Sequence, residues 1–106
     1  LCIDQGVGVI PWSPLARGLL TGSRPAGLES KTTVRAESDD YARTLYENAL
    51  DMPVVEGCAK LAKSRSLPMA QIALAWLLHQ PAVVAPIVGA TKPAHLADAI
   101  AAVDVN

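Results

Sequence analysis

V-G-V-I-P-W-S-P-L-A-R-G-L-L-T-G, residues 7–22, is the stretch on which the reading of the fold turns. Residues 7–10 are an apolar run stopped by Pro11, and Pro14, Gly18 and Gly22 punctuate the residues after it. A short apolar run bounded by glycine and proline reads as a buried strand that enters a loop. Proline pushes the residue before it toward extended backbone, so Ile10 and Ser13 are expected to be non-helical. In α/β folds, a stiff loop past the C-terminal end of a parallel strand is a common seat for a ligand.

Upstream, residues 1–5 read as a helix end, with Gly6 suited to its C-terminal cap. Downstream, residues 23–40 are polar and carry Pro25, Gly27 and charges of both signs. Such a long excursion is a functional lid or is disordered, and it is expected to gain order with a ligand. Residues 41–50 are a further helix candidate. Residues 54–65 place Val54, Val55, Cys58, Leu61 and Ala62 on one helical stripe, with Glu56 and Lys60 four apart on the polar side. Residues 64–67 turn the chain.

M-A-Q-I-A-L-A-W-L-L-H, residues 69–79, is nearly apolar all round, the pattern of a helix buried on more than one side. Pro68 precedes its first turn and Gln80-Pro81 ends it. A-V-V-A-P-I-V, residues 82–88, reads as a parallel strand covered on both faces, although Pro86 removes a ladder donor. Residues 89–91 then turn into a helix over about 92–103, with Thr91 as its N-cap and Leu96, Ile100 and Val103 as its buried stripe. His95, Asp98 and Ala99 share a different face. Two strands separated by helices argue for parallel βα units, an α/β fold.

With 106 residues the chain is one segment of domain size, and 51% hydrophobic content is core-forming material. A net charge of -1 gives no electrostatic case for nucleic acid or an anionic membrane. No apolar run reaches the roughly 18 residues of a spanning helix, and no signal-peptide pattern opens the chain. Cys2 and Cys58 form no C-x-x-C, so a reduced, cytoplasmic setting is the simplest reading. The start at Leu1 and the stop at Asn106 suggest a piece of a longer protein.

Two places carry chemistry. At residues 89–93, Gly89 admits a ligand close to the backbone, and the amides opening the next helix favour an anion. Lys92 adds a charge and Thr91 a hydroxyl. Taken alone, an ordinary strand-to-helix turn with a Thr cap and an exposed Lys accounts for the same residues. At residues 12–17, Arg17 reaches a phosphate or is merely solvated, and Trp12 stacks or packs. Ser13 lacks the G-x-S-x-G of a nucleophile elbow. G-V-G-V-I-P has Pro11 in place of a third glycine and does not follow the strand, which excludes a Rossmann fingerprint. His79 reads as a helix-end residue, neither histidine has metal-ligand spacing with the cysteines, and nothing marks Tyr41 or Tyr46 as an acid catalyst. If the strands are neighbours, both loops open on one face and can share one phosphate-bearing ligand, as in barrels with a phosphate site after strands seven and eight.

W-S-P-L-A-R-G-L-L-T-G at residues 12–22 resembles the loop after barrel strand seven in aldo-keto reductases. A-Q-I-A-L-A-W-L-L at 70–78 resembles the helix before strand eight, and P-I-V-G-A-T-K-P-A-H-L-A-D-A at 86–99 the strand-eight nucleotide motif. The three occur in the family's order and cover nearly the whole chain, residues 23–53 being the least diagnostic. The chain is most similar to the branch of bacterial reductases and potassium-channel β subunits.

The resemblance implies the C-terminal third of a (β/α)8 TIM barrel. Residues 1–22 would supply strand seven and its cofactor loop, 54–80 helices, and 82–106 strand eight and the nucleotide-binding helix. It implies NADP(H)-dependent reduction of aldehydes or ketones without a metal. Trp12, Ser13, Pro14, Leu15, Ala16 and Arg17 would lie at the pyrophosphate and nearby ribose. Gly89, Thr91 and Lys92 would hold the adenosine end and its 2′-phosphate, and His95, Asp98 and Ala99 would line the adenine. Arg35 falls near a basic residue of the family's cofactor-covering loop. The sequence departs from the family in having Ala99 where Asn is common, His95 where Gln is common, and Pro68 where a capping Ser or Thr is common. The family's catalytic Tyr, Lys, Asp and His come from earlier strands, so no residue here is assigned to catalysis. The alternative is a non-catalytic nucleotide-sensing or scaffold module resembling a channel β subunit.

Overall fold

The computed structural model describes residues 1–23, 45–46 and 50–106. The polar excursion, Arg35, Tyr41 and most of the helix candidate at 41–50 lie outside the described residues; Leu45 and Tyr46 are helical. Beyond them lie three α-helices: α1, Met52–Arg65; α2, Met69–Leu78; and α3, Pro93–Ala101. Short 3-10 helices occupy Ala16–Thr21 and Ala102–Asp104.

The chain opens on a turn closed by Gly6, whose φ of 64° is left-handed. Val7 N–H donates to Cys2 O at 2.9 Å and Gly6 N–H to Ile3 O at 3.3 Å. These are the bonds of a Schellman ending, the cap expected of Gly6. Residues 7–12 then run parallel to 83–87, meeting at two isolated bridges, Val9 with Val83 and Trp12 with Ile87. Val9 N–H donates to Ala82 O at 2.7 Å, Val84 N–H to Val9 O at 3.0 Å, and Ile87 N–H to Pro11 O at 3.0 Å. Pro11 and Pro86 have no N–H to give, so the ladder is interrupted rather than continuous. Gly8 sits where a Cβ would lie 2.8 Å from Val84 Cγ1, which requires the missing side chain.

The core is centred on α2. It packs against α1, α3 and both 3-10 helices, and Gln71, Ile72, Ala73, Leu74 and Ala75 are all buried. Five consecutive buried positions exceed one helical stripe, as its all-round apolar sequence predicts. Its C-terminus is closed by side chains, with Gln80 Nε2 donating to Trp76 O at 2.9 Å and His79 Nδ1 2.8 Å from Ala75 O. His79 is thus the helix-end residue expected. Ser66, at φ 54°, ends α1 in the turn expected at 64–67.

Several expectations are corrected. The strands expected at 7–10 and 82–88 do not form as continuous strands among the described residues: only the two isolated bridges pair them, since Pro11 and Pro86 withhold donors, and segment 82–88 is not covered on both faces, with Val84 66% exposed and Ile87 49%. On α1, Val55 and Ala62 are buried but Val54 and Leu61 are exposed, since only one side of the stripe meets α2. The stripe Leu96, Ile100 and Val103 is exposed, and α3 leans on α2 through its other side, where Asp98 and Ala99 are half-buried and the following Ala102 is buried. Lys92, not Thr91, is the N-cap of α3, with φ −137° and ψ 147°. Pro93 explains this: proline favours the first helical position and holds the residue before it extended. Ser13 is non-helical as expected, but its φ of 55° is left-handed rather than extended, and Ala16 N–H returns to Ser13 O at 2.9 Å where the chain reverses.

Candidate functional site

The parallel bridge between Trp12 and Ile87 makes residues 13–22 and 88–92 leave the paired segments at the same end. The two segments read as strands from the sequence are thus neighbours through isolated bridges, and the two loops leave them at the same end.

The first loop is tightly wound. Ser13, Ala16 and Arg17 have φ of 55°, 47° and 53°, and Gly18 has 98°. Left-handed backbone costs a residue with a Cβ about 1–2 kcal/mol, and such strain clusters at ligand clamps and active sites. The turn is held by Gly18 N–H to Leu15 O at 3.0 Å, Leu20 N–H to Leu15 O at 3.2 Å and Thr21 Oγ1 to Gly18 O at 2.8 Å. This winding brings the Arg17 guanidinium over the Trp12 ring, 5.0 Å from its centroid. The contact is a cation–π pair that fixes the direction of a cation. Trp12 stays 61% exposed while Pro14, Leu15 and Arg17 are half-buried, so the loop presents an aromatic face with the guanidinium packed over it.

The second loop ends on α3. Gly89, Thr91, Lys92 and His95 are exposed. Thr91 Oγ1 lies 3.4 Å from His95 Nδ1, and His95 N–H donates to Lys92 O at 3.0 Å. Pro93 has no N–H and the next amides open the helix, a partial positive end beside the Lys92 charge. Asp98 differs from its two expected companions: its Oδ1 accepts from Gln71 Nε2 of α2 at 3.0 Å. Ala99 is half-buried beside it. The structure thus joins Trp12 with Arg17, Thr91 with His95, and Asp98 with Gln71. Gln71 does not stand out in the sequence; its signal is a lone amide within M-A-Q-I-A-L-A.

Elsewhere the chemistry is sparse. Cys2 and Cys58 are free thiols, and burial pushes the Cys58 thiol above its ordinary pKa. Among the described residues no group of His, Cys, Asp and Glu could hold a metal ion, and no helix is long and apolar enough to cross a membrane.

Against known proteins, the sequence model of the aldo/keto reductase family matches residues 1–106. A protein of Schizosaccharomyces pombe named as an aryl-alcohol dehydrogenase is 45% identical over 99% of this chain and 28% of its own length. Versiconal hemiacetal acetate reductase of Aspergillus parasiticus is 37% identical over 99% of this chain and 30% of its own length. A protein of Arabidopsis thaliana named as a voltage-gated potassium channel β subunit is 32% identical over 99% of this chain and 32% of its own length. The chain therefore spans about 28–32% of the length of these curated relatives. With a match to the family over its whole length, the chain belongs to the aldo/keto reductase family, whose fold is a (β/α)8 barrel.

Proposed function

We propose that the chain is the NADP(H)-binding, C-terminal portion of a barrel reductase that converts aldehydes or ketones to alcohols in the cytoplasm. The observation that carries this reading is the parallel pairing of Trp12 with Ile87, which opens the strained loop and the start of α3 at one edge. The donors at that edge suit an anionic dinucleotide: Arg17 and Lys92 are cations, Ser13 and Thr91 are hydroxyls, and the Ala94 amide lies in the first turn of α3. There is also room, since a Cβ on Gly89 would meet nothing within 4 Å. Among the described residues no packing demands glycine there, as expected where a ligand approaches the backbone.

In this reading Ser13, Pro14, Leu15, Ala16 and Arg17, flanked by Trp12, hold the pyrophosphate and the nearby ribose. Gly89, Thr91 and Lys92 hold the adenosine end, with Thr91 and Lys92 at its 2′-phosphate. His95, Asp98 and Ala99 line the adenine. The bound nicotinamide supplies a hydride; the residues of this chain bind and orient. Protonating the carbonyl oxygen needs an acid within hydrogen-bond reach, and that group belongs to the preceding barrel strands. Those strands and their helices are also the partners that cover Val84, Ile87, Leu96, Ile100 and Val103, which are exposed in this chain.

The similarity to a protein named as a channel β subunit favours a second reading, a nucleotide-sensing scaffold without turnover. The reading frame upstream separates the two. Asp, Tyr, Lys and His at the family's catalytic positions support the enzyme, and their replacement supports the scaffold.

The test of the nucleotide site is titration of NADPH and NADH into the full-length protein and its Lys92→Ala variant. The variant is expected to lose about 1–3 kcal/mol of NADPH affinity, the range for a charged hydrogen bond, and to bind NADH as before. Equal losses for both cofactors would remove Lys92 from the 2′-phosphate. A wild-type protein that binds neither would contradict the reading as a whole.

A further inference from the structure

Gln71 is the only buried polar side chain found among the described residues. It lies in the central helix, flanked by apolar neighbours, where an amide is costly to bury without a partner. Its partner is Asp98 Oδ1 at 3.0 Å, a contact joining α2 to α3 across 27 positions of sequence. Asp98 is half-buried, and its second oxygen has no protein donor among the described residues. A carboxylate accepts at both oxygens, whereas Gln71 offers a donor from a fixed helix. One oxygen is thereby pinned and the other left to receive a ligand N–H.

We infer that Gln71 is a positioning residue for nucleotide recognition, holding the Asp98 carboxylate so that its second oxygen accepts from the adenine amino group. This rests on the proposed reading of α3 as the adenine-binding helix and adds a residue outside the ligand's contact shell. The side of α3 that carries Leu96 and Ile100 is exposed, as is Val103 just after it. The amide–carboxylate bond, with the burial of Ala102, is therefore what fixes the helix's rotation. Through that rotation it also sets the direction of Thr91, Lys92 and His95 at the other end. A purely apolar residue at position 71 fills the same space and leaves the carboxylate free to turn.

The experiment uses the full-length protein and two volume-conserving variants, Gln71→Met and Gln71→Glu, alone and combined with Asp98→Ala. Dissociation constants are measured for NADPH and for reduced nicotinamide mononucleotide, which lacks the adenylate. Each Gln71 variant is expected to weaken NADPH about 5- to 10-fold, the effect of one charge-assisted hydrogen bond. The mononucleotide is expected to bind as before, and kcat at saturating cofactor to stay unchanged. In the Asp98→Ala background the Gln71 substitutions are expected to add no further loss. A Gln71 effect that persists without Asp98, or that falls equally on the mononucleotide, would overturn the positioning role and leave the adenine site standing. Unchanged NADPH binding in Asp98→Ala would instead overturn the adenine reading of α3, and the positioning role with it. If Gln71→Met fails to fold, Gln71→Glu keeps size and polarity and carries the same expectations.

Discussion

At the scale of single residues, the proposed function has Arg17 and Lys92 divide the work between phosphates. Arg17 is oriented by the Trp12 ring at 5.0 Å within a left-handed turn, so its direction is set before a ligand arrives. The pyrophosphate is common to NADPH and NADH. Arg17→Ala is therefore expected to weaken both cofactors alike, by about 1.5–3 kcal/mol, in contrast to the selective effect of Lys92→Ala. Fluorescence titration with each cofactor checks this, and a loss confined to NADPH would move Arg17 to the 2′-phosphate. Cys58 illustrates a residue governed by burial alone. Its thiol is desolvated and its Sγ lies 3.7 Å from Met69 O. The folded protein thus keeps the proton to a higher pH than the unfolded chain does. Between the two pKa values the unfolded state has lost that proton and the native state has not, so this group's contribution to stability falls as pH rises. Alkylation of Cys58 by iodoacetamide at mildly alkaline pH is expected to accelerate when urea unfolds the protein. Equal rates in both states would deny the desolvation.

At the scale of elements, the two paired segments depend on Gly8. A Cβ there would lie 2.8 Å from Val84 Cγ1 and 3.1 Å from Cγ2, and a β-branched side chain has little freedom to yield. Gly8→Ala is expected to destabilise the full-length protein by about 1–3 kcal/mol, the cost of overpacking. Adding Val84→Ala is expected to recover part of it, read from urea denaturation midpoints. Much of this architecture is legible in the sequence. The apolar runs at 7–10 and 82–88 point to parallel pairing, and the all-round apolar 69–79 to a central helix. The prolines locate the breaks. The facing of helices is not legible. The stripe Leu96, Ile100 and Val103 has correct helical spacing, but spacing cannot say which partner is present to cover it. The cap of α3 falls one residue later than expected because the preference of Pro93 for the first helical position outweighs that of threonine for the N-cap. Gln71 is inconspicuous because one amide in an apolar helix changes no periodicity; only its contact with Asp98 gives it meaning.

At the scale of the molecule, exposed apolar side chains dominate two surfaces: Val7, Ile10, Val84 and Ile87 on the paired segments, and Leu96, Ile100 and Val103 on and just after α3. In a barrel, neighbouring strands and helices cover both. Under the proposed function, the nucleotide loops belong to this chain and the acid that protonates the substrate belongs to the part that covers those surfaces. Side-by-side kinetics test this division of labour. Consumption of NADPH is followed with a panel of aldehydes for residues 1–106 alone and for the full-length protein. Turnover is expected from the full-length protein and none from residues 1–106; clear turnover by residues 1–106 alone would require catalytic groups within this chain and would rule the division out.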